Sequence, residues 1–162
     1  MSKERDPGFR NDPELARGSP NVAEERKLRR PIEILLVEDN PDDAILTREA
    51  FHGAVFANRM HVVSDGVEAL AFLRKETRFA SAPRPDVILL DLHLPRMGGQ
   101  EFLDKMRTEN DFEKIPVCVL TGAASDLEFA DVSKINAACF LVKPIDPNEF
   151  AKMTKDLKVW NP

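Results

Sequence analysis

Glu38 and Asp39 in VEDNPDD, and Asp91 in ILLDLHLP, are three carboxylates that each follow an apolar run of strand length. If those strands are neighbours, the acids gather at one sheet edge and repel. Two unit charges about 4 Å apart cost roughly 4 kcal/mol at an effective dielectric near 20. Either the pKa values rise or a hard cation with oxygen ligands neutralises the group, and Mg²⁺ suits so small a carboxylate set. Thr121 closes IPVCVL and Lys143 closes CFLV, so a hydroxyl and an ammonium reach the same edge.

The elements that must position these groups are legible after Pro31. Apolar runs at Ile32–Val37, Met60–Val63, Val87–Leu90, Val117–Leu120 and Phe140–Val142 alternate with stretches of helical period. Those stretches carry Ala44, Thr47, Phe51; Val67, Leu70, Ala71; Phe102, Leu103, Met106; Leu127, Ala130, Ile135; and Phe150, Met153, Leu157. Asn40-Pro41-Asp42-Asp43, Ser125 with Glu128, and Asp146-Pro147 with Glu149 read as helix starts: a cap, a first-turn proline and acids at the positive dipole end. The alternation predicts an α/β fold, a doubly wound (βα)₅ unit with a five-stranded parallel sheet and helices on both faces. Ligands then bind beyond the carboxyl ends of the strands, where the acids lie.

With 162 residues, 43% of them hydrophobic, one well-buried domain is expected. Residues 1–30 lack apolar periodicity and are punctuated by Pro and Gly, which predicts a flexible charged tail ahead of a domain over 31–162. Residues 1–31 carry 8 Lys and Arg against 6 Asp and Glu; with −5 for the whole chain, the remainder is −7. An acidic domain argues against direct nucleic-acid binding, which needs a basic face. No apolar stretch is long enough to cross a bilayer and the N-terminus has no signal-peptide core, so no membrane association and a cytoplasmic location are expected. Cys118 and Cys139, without metal spacing, read as buried thiols. His52 and His61 read as surface positions.

The paired acids, Asp91 with Pro95 and Gly99 following, Thr121-Gly122 and Lys143-Pro144 occur in order and in strand context. In these features the chain resembles the receiver domain of two-component response regulators, a flavodoxin-like (CheY-like) fold, from Ile32 to about Val159. The resemblance implies that Asp91 accepts a phosphoryl group from a histidine kinase. It further implies that Asp39, Asp91 and the main-chain carbonyl of His93 ligate Mg²⁺, with Glu38 acting through water. Lys143 and Thr121 would contact phosphate oxygens, Leu92 and Gly122 would lie beside the phosphate, and the bond before Pro144 is a candidate cis peptide. Chemistry of this kind is mostly positioning and electrostatics. The side chain of His93, and the position of Ala123, would tune the lifetime of the acyl phosphate.

The same comparison makes Thr121 and Phe140 a switch, the ring moving into space that the hydroxyl leaves. Charge-assisted hydrogen bonds contribute about 1.5–3 kcal/mol net, whereas a shift from 1:99 to 99:1 takes about 5.5. A partner or dimer contact on the face of the fourth helix, fifth strand and fifth helix is therefore expected to supply part of the bias. Phe129, Phe150, Leu157 and Trp160 would form its apolar patch, giving a homodimer. The enlarged segment LRKETRFASAPRPDVILLDLHLP and the ending KVWNP resemble single-domain receivers paired with phytochrome histidine kinases, while the N-terminal tail and Gly98 depart from that subgroup. Three other readings compete: a receiver-like interaction or dimerisation module that acts without phosphorylation, a receiver for a non-phytochrome sensor kinase, and a hydrolase of a diffusible phosphate. The intact acid set opposes loss of the chemistry, and no second acid/base residue supports a hydrolase.

Overall fold

The computed structural model describes residues 30–122 and 135–156. Strand β1 (Ile32–Val37) leads to helix α1 (Pro41–His52), β2 (Asn58–Val63), α2 (Gly66–Leu73) and a 3₁₀ turn (Thr77–Phe79). Then follow β3 (Val87–Asp91), α3 (Gly99–Arg107), β4 (Val117–Thr121), β5 (Cys139–Val142) and α4 (Pro147–Asp156). All strand pairs are parallel in the order β2-β1-β3-β4-β5. The expected doubly wound five-stranded sheet is thus the observed one. The helix anticipated through Leu127 and Ala130, with its Ser125 start, and the tail at 1–29 lie outside the described residues, as do Ala123, Phe129, Leu157 and Trp160.

The central strands are apolar on both sides because both faces are covered. Leu35, Val37, Ile88 and Leu90 pack with Leu70, Phe72 and Leu73 of α2 and Phe102, Leu103 and Met106 of α3. On the opposite face Ile32, Ile34, Leu36 and Leu89 meet Ala44 and Phe51 of α1 and Phe150 of α4. β2, an edge strand, is only partly buried through most of its length. The caps follow their chemistry. Asn40 Oδ1 accepts from Asp42 N–H at 2.9 Å and Asp43 N–H at 3.3 Å, and Asp146 Oδ1 accepts from Asn148 N–H at 2.8 Å.

Three expectations are corrected. Cys118 and Cys139 form a disulfide rather than standing as two thiols. They are 21 residues apart, but the parallel register makes them direct cross-strand partners with Cα atoms 4.5 Å apart. Phe150 is fully buried and contributes nothing to an exposed patch. Val67 is exposed; the inward face of α2 is Ala69, Leu70, Phe72 and Leu73. His61 is half-buried, its Nε2 2.7 Å from Glu33 Oε2. His52 is exposed.

Phe150 sits edge-on to Phe51 at 5.0 Å between ring centroids and lies 5.9 Å from Phe56, which makes this trio the seam between α1 and α4. Phe150→Ala removes its central member and is expected to cost about 3–5 kcal/mol in urea unfolding. Val55→Ala, at a position 90% exposed, should stay within about 0.5 kcal/mol of wild type.

Candidate functional site

Strand register brings the polar groups together. Val37 is the partner of Leu90, so Glu38 and Asp91 occupy the next step of adjacent strands. Asp91 is in turn the partner of Leu120, and Thr121 of Val142, with Lys143 N–H donating to Thr121 O at 2.8 Å. Each group is therefore one residue past, or at, the end of a strand. One oxygen each from Glu38, Asp39 and Asp91 lies within 4.8 Å of the other two.

Lys143 is the hub. Its Nζ donates to Glu38 Oε2 at 2.5 Å, Asp91 Oδ2 at 2.7 Å and Asp43 Oδ2 at 3.0 Å. The remaining oxygens are held by main chain: Glu38 Oε1 accepts from Asn40 N–H at 3.1 Å and Asp91 Oδ1 from His93 N–H at 2.8 Å. The Glu38 side chain is 1% exposed and that of Asp91 12%, whereas Asp39 is exposed. Burial pushes Glu38 above the usual carboxylate range, against the downward pull of hydrogen bonds from Lys143 and Asn40 N–H. Burial also opposes the charge on Lys143, yet its bonds to Asp91, Glu38 and Asp43 outweigh that and hold it above the usual lysine range.

Asp43 was not anticipated as part of this cluster; its sequence position suggested only an acid at a helix start. It lies in the first turn of α1, while Asp39 precedes the Asn40 cap and is outside the helix, so helical spacing does not pair the two. No sequence signal pointed to its bond with Lys143, which arises only where α1 starts beside the end of β5. One ammonium against four carboxylates leaves an excess of three negative charges, which a divalent cation reduces to one. The donors are hard oxygens, so the residues fit such an ion.

The other expected site residues fall around this cluster. Thr121 is buried at the end of β4, and Gly122 follows it, exposed. Leu92 packs its side chain against the core and its carbonyl accepts from Gly99 N–H at 3.2 Å, so only its main chain faces the loop. The His93 side chain is 92% exposed, with Nδ1 3.8 Å from Asp91 Oδ1. Phe140 is half-buried on β5 opposite Val119, two residues before Thr121. The Lys143–Pro144 peptide bond is cis.

A paired acid, a second acid, a hydroxyl and a lysine at successive ends of a doubly wound sheet are the layout that receiver domains share. The response regulator receiver domain model matches residues 34–155, and the chain belongs to that family. Response regulator Rcp1 of Synechocystis sp. is 32% identical over 128 residues, covering 79% of this chain and 87% of Rcp1. The solved Mn²⁺-bound form of Rcp1 superposes with a TM-score of 0.62 at 32% identity, over 79% of this chain and 92% of that one. The phosphorylated cyanobacterial phytochrome response regulator RcpA gives 0.63 at 32%, over 80% and 92%. The bacteriophytochrome response regulator AtBRR gives 0.74 at 36%, over 82% and 96%. The chain is thus a signalling receiver domain related to phytochrome response regulators, and phosphorylation on aspartate and divalent-metal binding in the acidic pocket are typical of its family.

Glu38 takes up its proton at higher pH in the folded chain than in the unfolded one, so its contribution to stability falls as pH climbs through that window. Glu38→Gln should flatten this part of the stability profile. Lys143→Met removes the strongest opposing pull, and the Glu38 carboxyl should then titrate higher still in ¹³C NMR of the side-chain carboxyls.

Proposed function

We propose that Asp91 is the phosphoacceptor and that the chain catalyses only its own phosphorylation and dephosphorylation, with a sensor histidine kinase as donor. The observation that carries this is the single ammonium of Lys143 shared between Asp91, Glu38 and Asp43. Asp91 Oδ2, the oxygen already beside Nζ, attacks phosphorus of a phosphohistidine; the P–O bond forms as the P–N bond breaks, and the imidazole leaves with the electron pair and takes a proton. Lys143 then passes from the carboxylate oxygen to a phosphoryl oxygen with little movement, and the Thr121 hydroxyl donates to a second. Leu92 and Gly122 leave the main chain open beside the phosphate.

Asp39, Asp91 and the carbonyl of His93 would hold Mg²⁺, with Glu38 reaching it through water. The ion would offset charge on the transferring group. In the switch, Thr121 moves toward the phosphoryl group and Phe140 follows into the space left. The exposed edge strand β5, where Val142 is 38% exposed, supports a homodimer through the face that includes β5 and α4. The relatives support a bacterial phytochrome as the sensor kinase. The acidic balance of −5 supports signalling by protein contact rather than by nucleic acid. No described helix is long and apolar enough to cross a membrane, and a cytoplasmic setting fits a histidine-kinase partner.

Incubation with Mg²⁺ and a small acyl phosphate should add one phosphoryl group by intact mass. Asp91→Asn should add none, and omission of Mg²⁺ should abolish the adduct. An adduct of equal yield on Asp91→Asn rejects the assignment. Light scattering over a concentration series should show a dimer; a monomer at every concentration, phosphorylated or not, removes that part.

A further inference from the structure

The loop between β3 and α3 carries His93, and a pair outside the acidic cluster pins it. Asp65 is 1% exposed at the start of α2; its Oδ1 accepts from Glu68 N–H at 2.9 Å as the helix cap. Its Oδ2 receives the Arg96 guanidinium, Nε at 2.6 Å together with Nη2. Arg96 has φ 59°, a left-handed backbone that side-chain-bearing residues adopt only when something holds them there. A second tie lies next door: Gly66 N–H donates to Met97 O at 3.2 Å, and a Cβ at Gly66 would meet Met97 Cγ at 2.8 Å. The other end of the loop is tied to the site, because His93 N–H donates to Asp91 Oδ1 at 2.8 Å.

Resting on the metal reading above, we infer that the Asp65–Arg96 ion pair positions the loop that presents the His93 carbonyl, and so sets how well the acidic pocket holds a divalent cation. Only Leu94 and Pro95 separate the His93 and Arg96 anchors, and Pro95 has its φ fixed by its ring. Releasing Arg96 removes the force that keeps its left-handed turn and lets the carbonyl wander. The Arg96 side chain is 59% exposed but that of Asp65 only 2%, so releasing Arg96 leaves a buried carboxylate without its cation. Arg96 is a positioning residue: it acts through the loop, not on the ion.

The test is Mn²⁺ binding to the full chain, followed by electron paramagnetic resonance of the free ion with Mg²⁺ as competitor. Partners that orient ligands typically cost 10–100-fold in metal affinity when removed, so Arg96→Ala should bind about tenfold more weakly, with partial recovery in Arg96→Lys. Asp65→Asn, which keeps an oxygen for the helix cap, should match Arg96→Ala. Arg74→Ala, which breaks a surface pair with Glu109, should leave affinity unchanged. Taking positive charge away from an acidic pocket would by itself strengthen cation binding, so a loss in Arg96→Ala cannot be a through-space charge effect; Asp65→Asn, which removes a negative charge, is read only beside it. Folded Arg96→Ala and Asp65→Asn proteins that bind Mn²⁺ as tightly as wild type overturn the inference alone. A wild type that binds no Mn²⁺ overturns the metal reading and this inference with it.

Discussion

Like charges forced together by strand register are the constraint around which this molecule is built. β1 and β3 end side by side, which leaves Glu38 and Asp91 no choice but adjacency, and Lys143 answers both at 2.5 and 2.7 Å. A carboxylate as buried as Glu38 cannot be stabilised by water, so its ionised form depends on the lysine and on Asn40 N–H. The ammonium does not balance the cluster. The surplus negative charge gives the site its appetite for a cation and, in the proposed chemistry, makes Lys143 the group that follows charge from carboxylate to phosphoryl.

The rest of the fold keeps that arrangement from relaxing. Two apolar layers clamp the sheet on both faces, so the strand ends cannot slide to separate the acids. The loops that leave them are short or anchored: Asn40 caps α1 immediately after Asp39, and Gly99 N–H returns to Leu92 O after Asp91. A Cβ at Gly99 would come within 2.6 Å of Asp91 O, so glycine is what permits α3 to start that close to the acceptor. Cys118 and Cys139 cross-link β4 to β5 three and four residues before Thr121 and Lys143, fixing the two strands that bear those groups.

Much of this was legible in the chain because a parallel strand buried on both faces is a continuous apolar run, and its last residue marks the sheet edge. β1, β3 and β4 were readable for that reason, and with them the positions of Glu38, Asp91 and Thr121. Pairings that arise only in three dimensions were not. Cys118 and Cys139 meet through register, Asp43 reaches Lys143 across 100 positions of sequence, and Asp65 finds Arg96 across 31. Phe150 was placed on an exposed patch because the resemblance implied a dimer face there, but the aromatic seam with Phe51 and Phe56 takes it inside. Val67 shows the converse: near a helix start, an apolar residue at the right spacing can still face water.

The central claim is that Asp91, and no other carboxylate of the cluster, becomes the acyl phosphate. Borohydride reduction of the phosphorylated chain converts an aspartyl phosphate to homoserine, and peptide mass mapping then locates it. The account predicts homoserine at Asp91 alone. Homoserine at Asp39 or Asp43, or an unreduced Asp91 in a chain that carries the phosphoryl group, would contradict it.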